Sequence, residues 1–186
     1  MRTPLQRHGP IARATLLAAA LAAGVGAASA QHGAHVHGQA TLRVAVERGT
    51  VQIEFEAPAE SLLGFERAPR TAAERAAVES LRARFAKPGE LFGLDAEARC
   101  TVASASVASP LLDAGRAPAA PSDHADLLAT VAFACAEPAR LRTLEVRLFA
   151  DHPSLSRIRV ETIGTGGPSR RELRRGATTV PLASRG

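Results

Sequence analysis

Between residues 36 and 55 the chain alternates apolar and polar side chains on both sides of one short polar break, a period that suits strands and no helix. Val36, Ala40, Leu42, Val44 and Val46 share one face, interrupted only at Gly38. His35, His37, Gln39, Thr41, Arg43 and Glu47 share the other. A turn at Arg48-Gly49 predicts a β-hairpin in which Val46 faces Val51, Val44 faces Ile53, Leu42 faces Phe55 and Arg43 meets Glu54. Every apolar residue then opposes an apolar residue, and that consistency selects the register. Carried further, the same register sets His37 near Glu60. Side chains two apart on a strand start about 6 to 7 Å from each other, so the imidazoles of His35 and His37 could converge on one ion. The polar edge of the hairpin is therefore a candidate site for a transition metal, zinc first.

Residues 1–30 read as a secretory signal and contribute nothing to the fold. Arg2, Arg7 and Arg13 form a basic front, Leu16 to Ala28 an apolar centre too short to span a bilayer, and Ala28-Ser29-Ala30 a small-residue cleavage site. Cleavage after Ala30 leaves a chain beginning at Gln31, with no later apolar run long enough to span a membrane and no nearby cysteine for a lipid anchor. The expected compartment is the periplasm. Residues 31–186 suit one domain with an ordinary core.

Three of the 23 basic residues leave with the signal, so the remainder stands against 18 acidic residues nearly in balance. That balance excludes a nucleic-acid binder of the usual basic kind. The chain has no Trp and no Tyr, which weighs against sugar-stacking and single-strand nucleic-acid modules. Cys100 and Cys135 both fall in the exported part, where an oxidising compartment couples them. A disulfide is the first reading, and a thiolate pair on zinc the competing one.

After the hairpin, Pro58 ends the second strand and Ala59 to Gly64 makes a short helical turn. Thr71 and Glu74 form a capping box, and Ala77, Val78, Leu81 and Phe85 make one helical stripe, so a helix is expected over about 71–86. Lys87-Pro88-Gly89 should stop it. Strands follow at Cys100 to Val107, Asp126 to Cys135, Arg142 to Phe149 and Arg157 to Ile163, with a short last one at Val180 to Leu182. Between them lie a long loop, Ser109 to Asp123, a turn at Asp151-His152-Pro153, and a glycine-rich turn from Gly164 to Pro168. The run Arg170 to Arg175 reads as a solvated face. The fold class is α+β, mostly antiparallel sheet with one substantial helix.

Two pairs carry the chemistry, His35 with His37 and His124 with Asp126, each spaced i, i+2 on the polar side of an expected strand. Three imidazoles and a carboxylate make a tetrahedral set for zinc. The plainer readings are a frayed terminus for the first pair and a polar loop end for the second. His152 and Glu60 are possible additional ligands, although a histidine before a proline in a turn is more often structural. Copper(II) would bind such nitrogen and oxygen donors more tightly than zinc, so geometry and supply decide the metal. Catalysis is not expected: there is no nucleophile elbow and no HExxH helix.

The motifs HGAHVHGQATLRVAVERG, LLGFERAP, KPGELFGL, DHADLLATVAFAC and LFADHPSL occur here in that order. In this the chain resembles the ZrgA-like zinc-regulated periplasmic proteins of Gram-negative bacteria, over nearly all of residues 31–186. The resemblance implies a non-catalytic zinc-binding protein that supplies or buffers metal beside an uptake transporter, with His35, His37, His124 and Asp126 as ligands. Family members commonly carry a histidine-rich insert before the DHAD motif, whereas Ala114 to Ser122 is short and has no histidine. Many also have histidine where this chain has Arg67, and more often an aromatic residue where it has His152. Fewer bound ions are therefore expected than in the family at large. The alternative function is a metal-independent envelope module that docks a transporter or other partner through its polar strand face.

Overall fold

The computed structural model describes residues 37–112, 125–164 and 166–182. The chain divides into two units, Met1–Gly33, outside the described residues, and Ala34–Gly186, which contains all of them. The expected signal and cleavage site, His35, His124 and most of the Ser109 to Asp123 loop also lie outside the described residues.

The hairpin forms in the expected register. Strand β1 (Gln39–Glu47) pairs antiparallel with β2 (Thr50–Pro58), Leu42 opposite Phe55, Val44 opposite Ile53 and Val46 opposite Val51. The turn succeeds despite its Arg-Gly sequence because both residues take positive φ, 46° at Arg48 and 85° at Gly49. That conformation matches the twist of the flanking strands. Helix α1 (Ala59–Leu63) follows and ends on Gly64 in the left-handed conformation. Helix α2 (Ala72–Phe85) begins with the expected capping box between Thr71 and Glu74 and buries Val78, Leu81 and Phe85.

Helix α2 stops before Lys87-Pro88-Gly89 as expected, and Pro88 then opens another helical turn, α3 (Pro88–Leu91), leading into a short strand, β3 (Phe92–Leu94). Proline suits a first helical position, where its missing N–H would have had no partner. Strands β4 (Cys100–Ala108) and β5 (Asp126–Cys135) match expectation closely. Strand β6 (Thr143–Val146) stops short of Phe149, although Leu148 still points into the core. Strand β7 (Arg157–Gly164) is followed by β8 (Gly167–Arg174), so the arginine-rich run is an edge strand as well as a solvated face. Strand β9 (Thr179–Pro181) closes the described chain.

Six strands form one sheet in the order β4-β5-β2-β1-β7-β8, and β3-β6-β9 form a second. All pairings are antiparallel except β1 with β7, which runs parallel from Gln39 opposite Arg157 to Ala45 opposite Ile163. One face of the large sheet is the core: Leu42, Phe55, Leu127, Ile158 and Val160 lie fully buried in one cluster with Val78, Leu81 and Phe85 of α2 and with Phe92, Leu144 and Val180 of the small sheet. The rings of Phe55 and Phe85 stack with centroids 5.9 Å apart. The opposite face carries alternating charges, including Arg43 between Glu54 and Glu56 and Arg170 against Glu161. Cys100 and Cys135 face each other across the β4–β5 ladder and are disulfide-bonded, which removes the thiolate-zinc reading.

Candidate metal corner

The hairpin end remote from Gly49 is where the chemistry gathers. Here β1 begins, α1 begins and β5 enters the sheet. The expected strand geometry is corrected at His37: His37 and Gly38 form a turn, and β1 starts only at Gln39. The reason is Gly38, whose φ of 72° breaks the extended chain. A Cβ at this glycine would lie 2.9 Å from the carbonyl oxygen of Ser154 and 3.0 Å from Ser156 Oγ, so no other residue fits without displacement.

Gly38 is gripped on both backbone groups. Its N–H donates to the hydroxyl of Ser61 at 3.0 Å. Its carbonyl accepts from Ser156 N at 2.8 Å, Arg157 N at 3.1 Å and Ser156 Oγ at 2.8 Å. Ser61 is fully buried and also donates to the carbonyl of Gln39, tying α1 to the start of β1. His37 is thus an exposed side chain on a fixed backbone.

That placement brings His37 against Glu60, as the hairpin register suggested. A carboxylate oxygen of Glu60 contacts Nδ1 of His37. A carboxylate accepting from Nδ1–H is the arrangement that orients an imidazole to bind a metal through Nε2. Glu60 is the second residue of α1, and the first, Ala59, donates its N–H to the carbonyl of Ala125 at 2.7 Å. Asp126 opens β5 directly opposite Pro58, the last residue of β2. The start of the DHAD strand is therefore hydrogen-bonded to the residue beside Glu60. Of the four ligands expected first, His37 and Asp126 are described, whereas His35 and His124 lie outside the described residues. Among the described residues no three His, Cys, Asp or Glu side chains gather closely enough to hold a metal ion.

His152 has a different setting. It is 5% exposed, and its Nδ1 lies 2.9 Å from the carbonyl oxygen of Leu62 in α1. A carbonyl only accepts, so Nδ1 carries the proton and donates. Nε2 has no hydrogen-bond partner among the described residues. Burial holds the imidazole pKa below its ordinary 6.5, against the opposing pull of the Leu62 carbonyl and Asp151, while Arg84 adds to the lowering.

Arg67 is held in place by its neighbours. It forks onto Glu74 at 2.6 and 3.1 Å and stacks over Phe65 at 5.6 Å. Together with the N–H groups of Arg70 and Thr71 it pulls the Glu74 pKa down to about 2. Sequence reasoning missed Ser61, Ser156 and Arg175, because a buried serine in a short helix and one arginine in a charged run carry no local mark of what they hold.

No helix among the described residues is long and apolar enough to cross a membrane. No curated protein matches the chain. A protein-family model described as ZrgA family zinc uptake protein matches residues 34–182, which includes the whole hairpin, α1 and the DHAD strand. The chain belongs to the ZrgA family of zinc uptake proteins.

Proposed function

We propose that this protein is an exported, non-catalytic zinc carrier of the periplasm, binding the ion reversibly as cargo and making it available to an uptake transporter. The site is the corner formed by the His37 turn, α1 and the start of β5. His37 supplies an imidazole through Nε2, Glu60 orients it or joins the ion, and Asp126 supplies a carboxylate. His35, two residues before His37, and His124, one residue before Ala125, complete the donor set. The observation that carries this reading is the contact of the Glu60 carboxylate with Nδ1 of His37, because it prepares an exposed imidazole for a metal. The bond from Ala59 to Ala125 adds support by tethering the DHAD segment beside Glu60.

Neutral imidazoles and carboxylates suit zinc, and copper(II) would also bind them. Titration calorimetry with zinc is the test. Saturable binding at micromolar or tighter Kd is expected, lost when His35 and His37 are both replaced by Ala. No saturable heat, or equal affinity in the double variant, would refute the site. Zinc-specific loading from a zinc and copper mixture held at buffered free concentrations would separate the two metals.

A further inference from the structure

The segment Phe149 to Ser156 joins β6 to β7 and makes few backbone hydrogen bonds of its own; the one inside it runs from Leu155 N to the His152 carbonyl, 3.1 Å. Four of its carbonyls, that of His152 among them, turn onto a single cation. Arg175, in the turn after β8, donates through Nη1 to Phe149 O and through Nη2 to His152 O at 2.8 Å, Pro153 O at 3.0 Å and Leu155 O at 3.4 Å. One guanidinium thus supplies donors to four carbonyls that the turn leaves without strand partners.

From the loop wound on Arg175, two arms reach the metal corner. One is the His152 Nδ1–H bond to Leu62 O, two residues beyond Glu60 on the same short helix. The other is the set of three donors from Ser156 and Arg157 that converge on Gly38 O, one residue beyond His37. An isolated helix of five residues does not hold its shape or direction unaided, so α1 depends on such outside bonds. Its closing bond, Gly64 N–H to Glu60 O at 2.8 Å, lies in the same turn as Leu62.

We propose that the Phe149 to Ser156 loop, folded around Arg175, is a latch that sets the spacing of His37 and Glu60, and that His152 is a positioning residue acting through its Nδ1 proton. This rests on the zinc reading of the corner. It assigns His152 a role other than that of a ligand, and the two roles use different nitrogens. Asparagine places an amide N–H where Nδ1 stands, glutamine places one nearer Nε2, and phenylalanine keeps the ring with no donor.

The test compares the purified protein with H152N, H152Q and H152F, measuring zinc affinity by competition and hydrogen exchange at the Gly64 amide without metal. H152F and H152Q are expected to bind zinc about ten-fold more weakly and to exchange faster at Gly64, with exchange within α2 unchanged. H152N is expected to restore both. Weak binding in H152N with normal Gly64 exchange would overturn the latch and make the ring a ligand through Nε2; wild-type affinity in H152F would overturn it also. Should the unsubstituted protein bind no zinc, the zinc reading fails, and the latch is judged on Gly64 exchange alone, where equal rates in H152F and the parent refute it. R175A supplies an independent variant away from α1, expected to repeat the H152F result.

Discussion

The two ends of the β1–β2 hairpin are held by different means. At the Gly49 end the restraints are covalent or between backbones: the Cys100–Cys135 disulfide, Cys135 N–H to Gly49 O at 2.8 Å, and Glu137 N–H to Ala98 O at 3.0 Å, with Arg99 and Glu137 paired outside them. At the Gly38 end there is no covalent tie: backbone bonds from Ser156, Arg157 and Ala59 are joined by side chains on backbone groups, from Ser61, Ser156, His152 and Arg175. Nine residues per strand put these ends about 30 Å apart. The turn end is closed by a covalent bond, while the open end is held by polar bonds alone. The proposed zinc site lies at the second.

The largest effect should come from the covalent end. Replacing Cys100 and Cys135 by Ser frees a loop of 35 residues and should cost about 4 kcal/mol of unfolding free energy in the chain-entropy account. Zinc affinity should stay within about two-fold, because sites this far apart without shared partners behave additively. Urea denaturation with and without reductant, beside zinc titration, measures both. A collapse of zinc binding in a still-folded double variant would erase the distinction between the ends.

Next is the glycine of the open end. Gly38→Ala forces a side chain into a φ of 72° with its Cβ 2.9 Å from Ser154 O, and should destabilise by about 1 to 3 kcal/mol. Zinc affinity should also fall, since the displaced backbone is the one carrying His37. Thermal melts paired with titration give both numbers, and lost stability with full affinity would detach the Gly38 grip from the site. A smaller and purely functional loss is expected for Glu60→Ala. This carboxylate is on the surface, so stability should move by less than about 0.5 kcal/mol, while zinc binds about ten-fold more weakly for want of the orienting partner. Equal affinity would show that His37 needs no orientation.

The same contrast explains what could be read from the sequence. The hairpin register was legible because two alternating runs share a break, and it extended correctly to place His37 by Glu60. The bounds of β5 and the capping box of α2 were legible for similarly local reasons. The parallel pairing of β1 with β7 was not, because it joins Gln39 to Arg157 and a parallel partner leaves no mark near either strand. Strand β8 was hidden by its position: on an edge its residues are exposed on both faces, and only Leu173 turns into the core. Gly38 appeared as an interruption in a strand, and only its three donors show why the strand must start after it. His152 looked like a spare ligand because its burial comes from a loop wrapped on an arginine 23 residues later, which local pattern does not encode.

The mildest prediction uses protons alone. Burial lowers the His152 pKa in the folded protein below the 6.5 that the unfolded chain retains. As pH falls through 6.5 the unfolded chain takes up a proton that the folded protein refuses, so unfolding gains. The contribution to stability is therefore complete above 6.5 and is lost as the pH drops towards the depressed folded value. Unfolding free energies from pH 7.5 to 5 should decline in the parent protein and decline less steeply in H152N, which keeps the bond to Leu62 but has no proton to gain. The Arg84 pair with Asp151, 2.5 Å apart, is unchanged by that substitution and cancels from the difference. Among the described residues the Gly49 end contributes no histidine to this window, so a serine variant of the two cysteines should show the parent slope at a lower overall stability. Parallel slopes in H152N and its parent would mean that the imidazole holds its proton equally well in the folded and unfolded chains, so that burial does not depress it.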